Sequence, residues 1–341
     1  MLDTPKRSAT QGYSLVQILD RAFRIYRQNF LPFFALSAVV QIPLVVLANL
    51  ITAPQQQAIL NLSRNPSTTS LSDAQALLGS LLGVYVMILG FALLVSFLQG
   101  ILIYAPIVYI TSENHLGRPA TLRDAFAQIG KRLQTLAGGL ILFYAIVVGV
   151  GIALAFTLFL CGLGIGLWGY ISLALGSLLV PVLMLERTKV GTALGRSWML
   201  GKRRIWVLLA ISAGFYIIIT VIDLALAAAA TQFFRNNSNF VTLALTAILS
   251  AIGSIVLLPL LPIAFTEIYY DARTRFEGLD IALNASTTPG ASPADVQSPA
   301  PGRLIGNEDY VNVALFAIGS LVLVILYVML ILSLAPRLAG V

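Results

Sequence analysis

Seven stretches of this chain, 30–52, 77–111, 136–160, 163–185, 205–230, 240–266 and 310–335, contain a single charged side chain among them, Asp223. The hydrocarbon core of a bilayer is roughly 30 Å thick and takes about 20 apolar residues of helix to cross. Every one of the seven is long enough. In that medium each backbone polar group must be satisfied within the chain, which a helix does alone. The 341 residues include 21 Lys and Arg with 14 Asp and Glu, too few to coat a soluble fold of this size, where about 25% charge is usual. The expected fold class is all-α, a polytopic membrane helical bundle. A soluble enzyme, a disordered chain and a nucleic-acid module all fit poorly.

The 77–111 stretch is too long for one upright span, because its residues at 1.5 Å each extend roughly 50 Å. It is expected to tilt, to break near Gly79, Gly83 or Gly90, or to run past the membrane as helix. Only Cys161 and Gly162 separate the third and fourth stretches, which predicts a tight hairpin. A lone cysteine excludes a disulfide framework and a cysteine-based zinc site. Residues 1–29 hold no apolar run like a signal-peptide core, so the first span is expected to direct insertion.

Basic residues give the orientation. With the N-terminus in the cytoplasm, the inner segments carry 5, 4, 6 and 3 Lys or Arg, which is 18 of the 21. Only Arg64, Arg235 and Arg337 lie outside. By the positive-inside rule the N-terminus is cytoplasmic, and seven spans put the C-terminus outside a plasma membrane. The net charge of +7 is thereby explained without nucleic acid.

The first six spans repeat a unit: a basic amphipathic segment, a span outward and a span back that closes on a proline motif. They form three hairpins. The entry segments, Ser14–Phe30, Thr121–Thr135 and Gly191–Ile205, each carry a small-then-aromatic pair (Ala22-Phe23, Ala125-Phe126, Ser197-Trp198) about seven residues before the membrane. The returning spans end at Pro106 to Glu113, Pro181 to Glu186 and Pro262 to Glu267. Such entry segments are expected to lie in the headgroup layer with Arg or Lys toward phosphate. The candidate headgroup contacts are Arg21, Arg24, Arg27, Lys131, Arg132, Lys202, Arg203 and Arg204.

After Thr266, residues 267–283 form a cytoplasmic segment. Asp271 with Arg275 and Arg273 with Glu277 have the i,i+4 spacing that supports an exposed helix. Gly278 suits its end, and Tyr269 with Tyr270 suits a membrane interface. Residues 284–308 contain four prolines among Ser, Thr, Ala and Gly and read as a disordered linker. It leads to a seventh span, 309–341 with its outer tail, that need not pack on the six-span core of 30–266.

The opening Leu15-VQILDRAFRIYRQNF-Leu31 and the closing Tyr269-YDARTRFEGLD-Ile281 resemble the membrane-domain family found beside glycerophosphoryl diester phosphodiesterase domains. Members typically open with an "iLdrafrlyr" segment and close six spans with "YYDxRxRxEGxD". Here Tyr269, Tyr270, Asp271, Arg273, Arg275, Glu277, Gly278 and Asp280 carry the closing motif. The resemblance spans roughly residues 10–283 and implies a membrane module that sometimes accompanies a hydrolase. The hydrolase domain itself is absent, and a linker with one span stands in its place.

The inventory for catalysis is thin. Phosphodiester hydrolysis of that type needs an acidic metal-binding cluster and paired histidines, and the one histidine, His115, reads as a solvated loop residue. No phosphate-cradling loop or nucleophile elbow occurs. The protein is expected to be no enzyme and to need no metal or cofactor.

Polar residues inside the spans share faces. Ser212, Tyr216, Thr220 and Asp223 follow at helical spacing, as do Thr242, Thr246, Ser250 and Ser254. Counting from the intervening turn sets Asp223 level with Thr246 or Ala247, Thr220 with Ser250 and Tyr216 with Ser254. The same count sets Gln41 level with Gln99 or Gly100. One reading is interhelical hydrogen bonding, worth about 0.6 kcal/mol per contact; the other is a polar path, for which Asp223 would be the ionisable group. The leading expectation is a scaffold, partner subunit or lipid-interacting module that meets anionic lipids and a membrane or cytoplasmic protein partner. The alternative is a transporter or lipid translocator built on the facing stripes. Paired discontinuous helices at the midplane are not evident, because Pro106, Pro181 and Pro262 all lie near span ends.

Overall fold

The computed structural model describes residues 13–64, 71–155, 163–233, 245, 248–249, 251–286, 290–296, 298–299, 303 and 305–338. Among them no strand occurs, and seven helical segments are long and apolar enough to cross a membrane. The protein is an all-α polytopic bundle. The predicted turn at Cys161 and Gly162, together with Thr242, Thr246 and Ser250, lies outside the described residues.

Helix α1 (Leu15–Gln28) opens with a reciprocal capping box. Ser14 Oγ accepts from the Gln17 amide, and Gln17 Oε1 accepts from the Ser14 amide. Its Ile18, Ala22, Ile25 and Tyr26 face is buried. The chain turns at Asn29 and enters α2 (Phe30–Arg64). Helix α3 (Leu71–Gln99) passes into a π turn, Gly100–Tyr104, and then α4 (Ala105–His115). The long second span therefore does not break at Gly79, Gly83 or Gly90; it runs on as helix and absorbs its proline through the π turn. Pro106 has no N–H to offer Leu102, and the ladder shifts so that the Ala105 amide bonds the Gly100 carbonyl instead.

Helix α5 (Leu122–Ala155) is entry segment and span in one, capped by Thr121 with Asp124. Helices α6 (Leu163–Gly176) and α7 (Leu179–Leu185) form the returning span. Helix α8 (Val190–Arg203) is the third entry helix; a turn at Arg204 leads to α9 (Ile205–Phe233). The last return is α10 (Ile252–Leu257) and α11 (Leu260–Glu277), followed by α12 (Leu279–Ala285) and the long α13 (Asn307–Leu338).

The threefold pattern becomes a ring. The returning helices α4, α7 and α11 touch one another and form a hub, and each entry helix packs on the returning helix of the preceding unit: α5 on α4, α8 on α7, α1 on α11. All seven residues of α7 and thirteen of α11 are buried. The outer faces of the spans are apolar and exposed, as at Leu31, Val39, Ile141, Ile217, Leu224 and Leu323, the distribution a lipid-facing surface requires.

The structure settles one point the sequence left open and differs from it at another. The seventh helix packs closely, with α13 lying along α6; a Cβ at Gly166 would collide with the Phe316 carbonyl oxygen. Tyr170 and Trp206 close on Phe316, and the Trp206 indole N–H donates to Asn312 Oδ1 at 3.0 Å. The segment read as a disordered linker is, where described, docked on the hub end: Pro293 is buried, its carbonyl accepts from Arg273, and the Gly290 carbonyl accepts from Arg118 at 2.6 Å.

Candidate functional site

The hub end concentrates buried charge. Glu186 ends α7, and Arg196 sits in the middle of α8. The Arg196 guanidinium is 3% exposed and forks two ways, with Nε and Nη2 to Glu186 at 3.1 and 3.0 Å and Nη1 and Nη2 to Glu277 at 2.5 and 2.8 Å. Burial by itself would lower its pKa. The hydrogen bonds and charges of Glu277 and Glu186 outweigh that and hold it above the usual arginine value. Arg273 joins from α11, donating to Glu277 at 2.9 Å and to the Tyr269 hydroxyl at 3.1 Å, with Glu186 at 3.6 Å. Tyr269 and Ser298 donate in turn to Glu186. Two guanidiniums thus face two carboxylates.

A second cluster repeats the plan. Arg21 of α1 is to α11 what Arg196 of α8 is to α7: each stands just before its small-aromatic pair and meets a glutamate five residues after a helix proline. Arg21 Nε lies 3.2 Å from Glu267, a charge contact without aligned hydrogen-bond geometry. His115 Nδ1 is 3.2 Å from the same carboxylate, and its ring stacks on Tyr270 at 3.9 Å. His115 is therefore a partly buried member of the network at the end of α4, and not a solvated loop residue. Ser112, one turn back, hydrogen-bonds Tyr270 instead of the imidazole, so no nucleophile–base pair forms there. In the remaining repeat, Asp124 caps its own helix and Thr111 is buried with no partner for its hydroxyl.

The closing segment differs from the exposed interfacial helix expected of it. Its i,i+4 pairs form, Arg275 to Asp271 at 3.1 Å and Arg273 to Glu277, and Gly278 ends α11 in the left-handed region with φ +63°. Yet Tyr269, Tyr270, Asp271 and Arg273 are all core residues, while Arg275 and Phe276 are exposed. Asp271 also takes the Tyr13 amide at 2.6 Å and Arg204 at 2.9 Å. Asp280 stands in the first turn of α12.

The eight candidate headgroup bases divide. Arg21 and Arg204 belong to the carboxylates above, and burial, followed by the opposing pull of Asp271 and the push of Arg275, leaves Arg204 below its usual pKa. Lys202 pairs with Asp309 at 2.8 Å, where Tyr170 also donates, fastening the start of α13. Arg132 Nη1 donates to the carbonyls of Leu183, Met184 and Glu186, closing the C-terminal end of α7. These four are protein ligands and not free headgroup contacts. Arg24, Arg27, Lys131 and Arg203 are exposed, Arg203 lying over the Phe276 ring.

Lys131 and Arg132 face Arg187 and Thr188 across a pocket of about 480 Å³. Its one acidic lining residue, Glu186, is 2% exposed and its carboxylate is taken by Arg196, Tyr269 and Ser298. Arg187 is 70% exposed and only loosely paired with Asp295 at 3.6 Å. The pocket is electropositive and open to an anion.

Deeper in the bundle, Gln99 donates to Gln41 at 2.7 Å. Thr246, the partner expected for Asp223, lies outside the described residues; Asp223 accepts from the Ser254 amide at 3.2 Å and the Ser254 hydroxyl at 2.5 Å. Tyr216, set level with Ser254 by counting, is 72% exposed, and Thr220 is exposed too. Among the described residues, the two stripes meet at Asp223 and Ser254, and Tyr216 and Thr220 do not join that contact. The count failed because the sixth span is not one straight rod: it restarts after Ala251 and is interrupted again at Leu258 and Pro259.

Sequence reasoning missed Glu186, Arg196, Glu267 and His115 as network members. The signal was present, an arginine before the small-aromatic pair and a glutamate five residues after the proline, in two of three repeats. No group of His, Cys, Asp and Glu able to hold a metal occurs among the described residues. Comparison with known protein families, curated proteins and solved structures gives no match.

Proposed function

We propose that the protein is a non-enzymatic integral membrane module of a plasma membrane, with its hub end cytoplasmic, which holds anionic lipid headgroups at that end. The observation that carries this reading is the pocket edged by the exposed Lys131 and Arg187, whose one lining carboxylate, Glu186, is buried and turned to other partners. The 18 basic residues assigned to the same side support the orientation. The resemblance of both ends to membrane domains beside glycerophosphoryl diester phosphodiesterases supports a module that works next to a protein partner. A translocator on the stripes of the fifth and sixth spans is not adopted, because Tyr216 and Thr220 look outward.

The test is lipid retention by the full chain. Phosphatidylglycerol is titrated against phosphatidylcholine in nanodiscs, and bound lipid is read by native mass spectrometry. Replacing Lys131 and Arg187 with Gln leaves the α7-closing Arg132 in place. Juxtamembrane bases contribute about 1 kcal/mol each near an anionic surface, so the double variant should lose phosphatidylglycerol preference roughly 30-fold. A folded double variant with undiminished preference would remove the proposal.

A further inference from the structure

A chamber of about 410 Å³ lies inside the bundle beside the hub. Leu179, Val180, Leu261 and Phe265 of the hub line one part of it, and α3, α5, α6 and α9 supply the rest. None of its lining residues is Asp, Glu, Lys, Arg or His. Its polar lining consists of serines, Tyr104, Tyr144 and the Gln99 amide. Two of the serine hydroxyls, on Ser172 and Ser212, are buried without a hydrogen-bond partner. Native interiors seldom leave such groups bare, and each one asks for an explanation. The wall also includes Gly100 and Tyr104, the two ends of the π turn, a distortion frequent at functional sites.

A second cavity of about 340 Å³ lies between α2 and α3. Apart from Gln41 and Ser96 its lining is apolar, with Leu44, Ile51 and Phe91 among it. Ser96 lines both spaces, and the Gln99–Gln41 hydrogen bond joins the wall of one to the wall of the other. An uncharged chamber, mostly apolar but carrying a few hydroxyl and amide groups, thus adjoins an apolar groove, both within the span region.

We infer that the two cavities form one binding site for a neutral amphiphile, with an uncharged hydroxyl-bearing headgroup in the chamber and its acyl chain in the α2–α3 groove. The chamber favours neutral oxygen chemistry. A phosphate or ammonium would find no counter-charge there, and an unpaired buried charge costs far more than a buried hydroxyl. Hydroxyl or ester oxygens would satisfy Ser172 and Ser212 directly. The groove accounts for the chain, since a ligand arriving at this depth comes from the bilayer. This site is separate in residues and in chemistry from the cationic pocket of Lys131 and Arg187.

Gly169 supplies the decisive variant. It lines the chamber, and a Cβ there meets nothing within 4 Å, so a larger side chain can fill the space without a clash at its root. Full-length protein in micelles is titrated with 1-monooleoylglycerol, oleate and phosphatidylglycerol, with native mass spectrometry and thermal unfolding as readouts. The parent should retain one monooleoylglycerol and melt at a higher temperature with it. Gly169→Leu should lose that retention at least tenfold, while Ser172→Ala with Ser212→Ala weakens it about tenfold, the worth of two modest neutral hydrogen bonds. Lys131→Gln with Arg187→Gln should leave it unchanged, which separates this site from the anionic one. No retention by the parent would mean a water-filled chamber and would overturn the inference. So would equal retention by Gly169→Leu, or displacement by oleate or phosphatidylglycerol at matched concentration. If Gly169→Leu does not fold, the serine pair decides: unchanged retention there refutes the site.

Discussion

Arg196→Met removes a guanidinium that is 3% exposed and that donates to both Glu186 and Glu277. The cluster then passes from two cations and two carboxylates to one cation and two carboxylates, with Glu186 and Arg273 both buried. Breaking a buried ion pair by deleting one partner costs about 3–5 kcal/mol. Arg273 remains beside both glutamates, and Tyr269 and Ser298 still donate to Glu186, so the lower end of that range, about 3 kcal/mol, is expected. Arg196→Lys keeps the charge but cannot fork between two carboxylates, and should fall between parent and Arg196→Met. Adding Glu277→Gln to Arg196→Met restores one cation to one carboxylate and should recover at least half of the loss. The assay is reversible unfolding in mixed micelles, with the exposed Arg203→Gln as a control expected within about 0.5 kcal/mol of the parent. An Arg196→Met protein as stable as that control would refute the reasoning. So would a double variant no more stable than the single one.

Asp223→Asn should fold and insert like the parent, since its partner is the Ser254 hydroxyl and amide and not a cation. A double-mutant cycle with Asp223→Leu and Ser254→Ala should return a coupling of about 0.6–1.7 kcal/mol, and zero coupling would contradict the observed register. Gly166→Ala should pry α13 from α6, because the atoms in the way are backbone at Phe316 and Ala317; a disulfide engineered between these helices should then form more slowly, and an unchanged rate would count against the contact. For orientation, with Cys161 replaced by Ser, a cysteine at Ser67 should react with an impermeant reagent from outside and one at Asn284 only after lysis. The reverse pattern would invert the assignment of the hub end.

Much of the candidate site was spelled out locally and still misread. The i,i+4 pairs of Asp271 with Arg275 and Arg273 with Glu277 are present, as is the left-handed Gly278 that ends α11. Such spacing says that two side chains meet along one helix; it is silent on what stands across from them. Arg196, 81 residues from Glu277 in sequence, is what turns a solvated pair into a buried network. Lys202 and Arg132 were legible as bases near a span, but a basic residue reads alike whether it meets a phosphate, an aspartate or the carbonyl end of a helix.

The amino-acid sequence alone determined the class of fold and the number of apolar spans. Those are questions a segment answers by itself: twenty apolar residues either can or cannot satisfy their own backbone in hydrocarbon. The tertiary structure decided which faces are inside. It set α13 against α6 through Gly166, docked the proline-rich segment on the hub, and paired Asp223 with Ser254, two helical turns from the position that counting along straight rods would choose. Helix register and helix partners depend on interruptions at Ala251, Pro259 and Gly100, and on close approaches that only exist once all three repeats have closed into their ring.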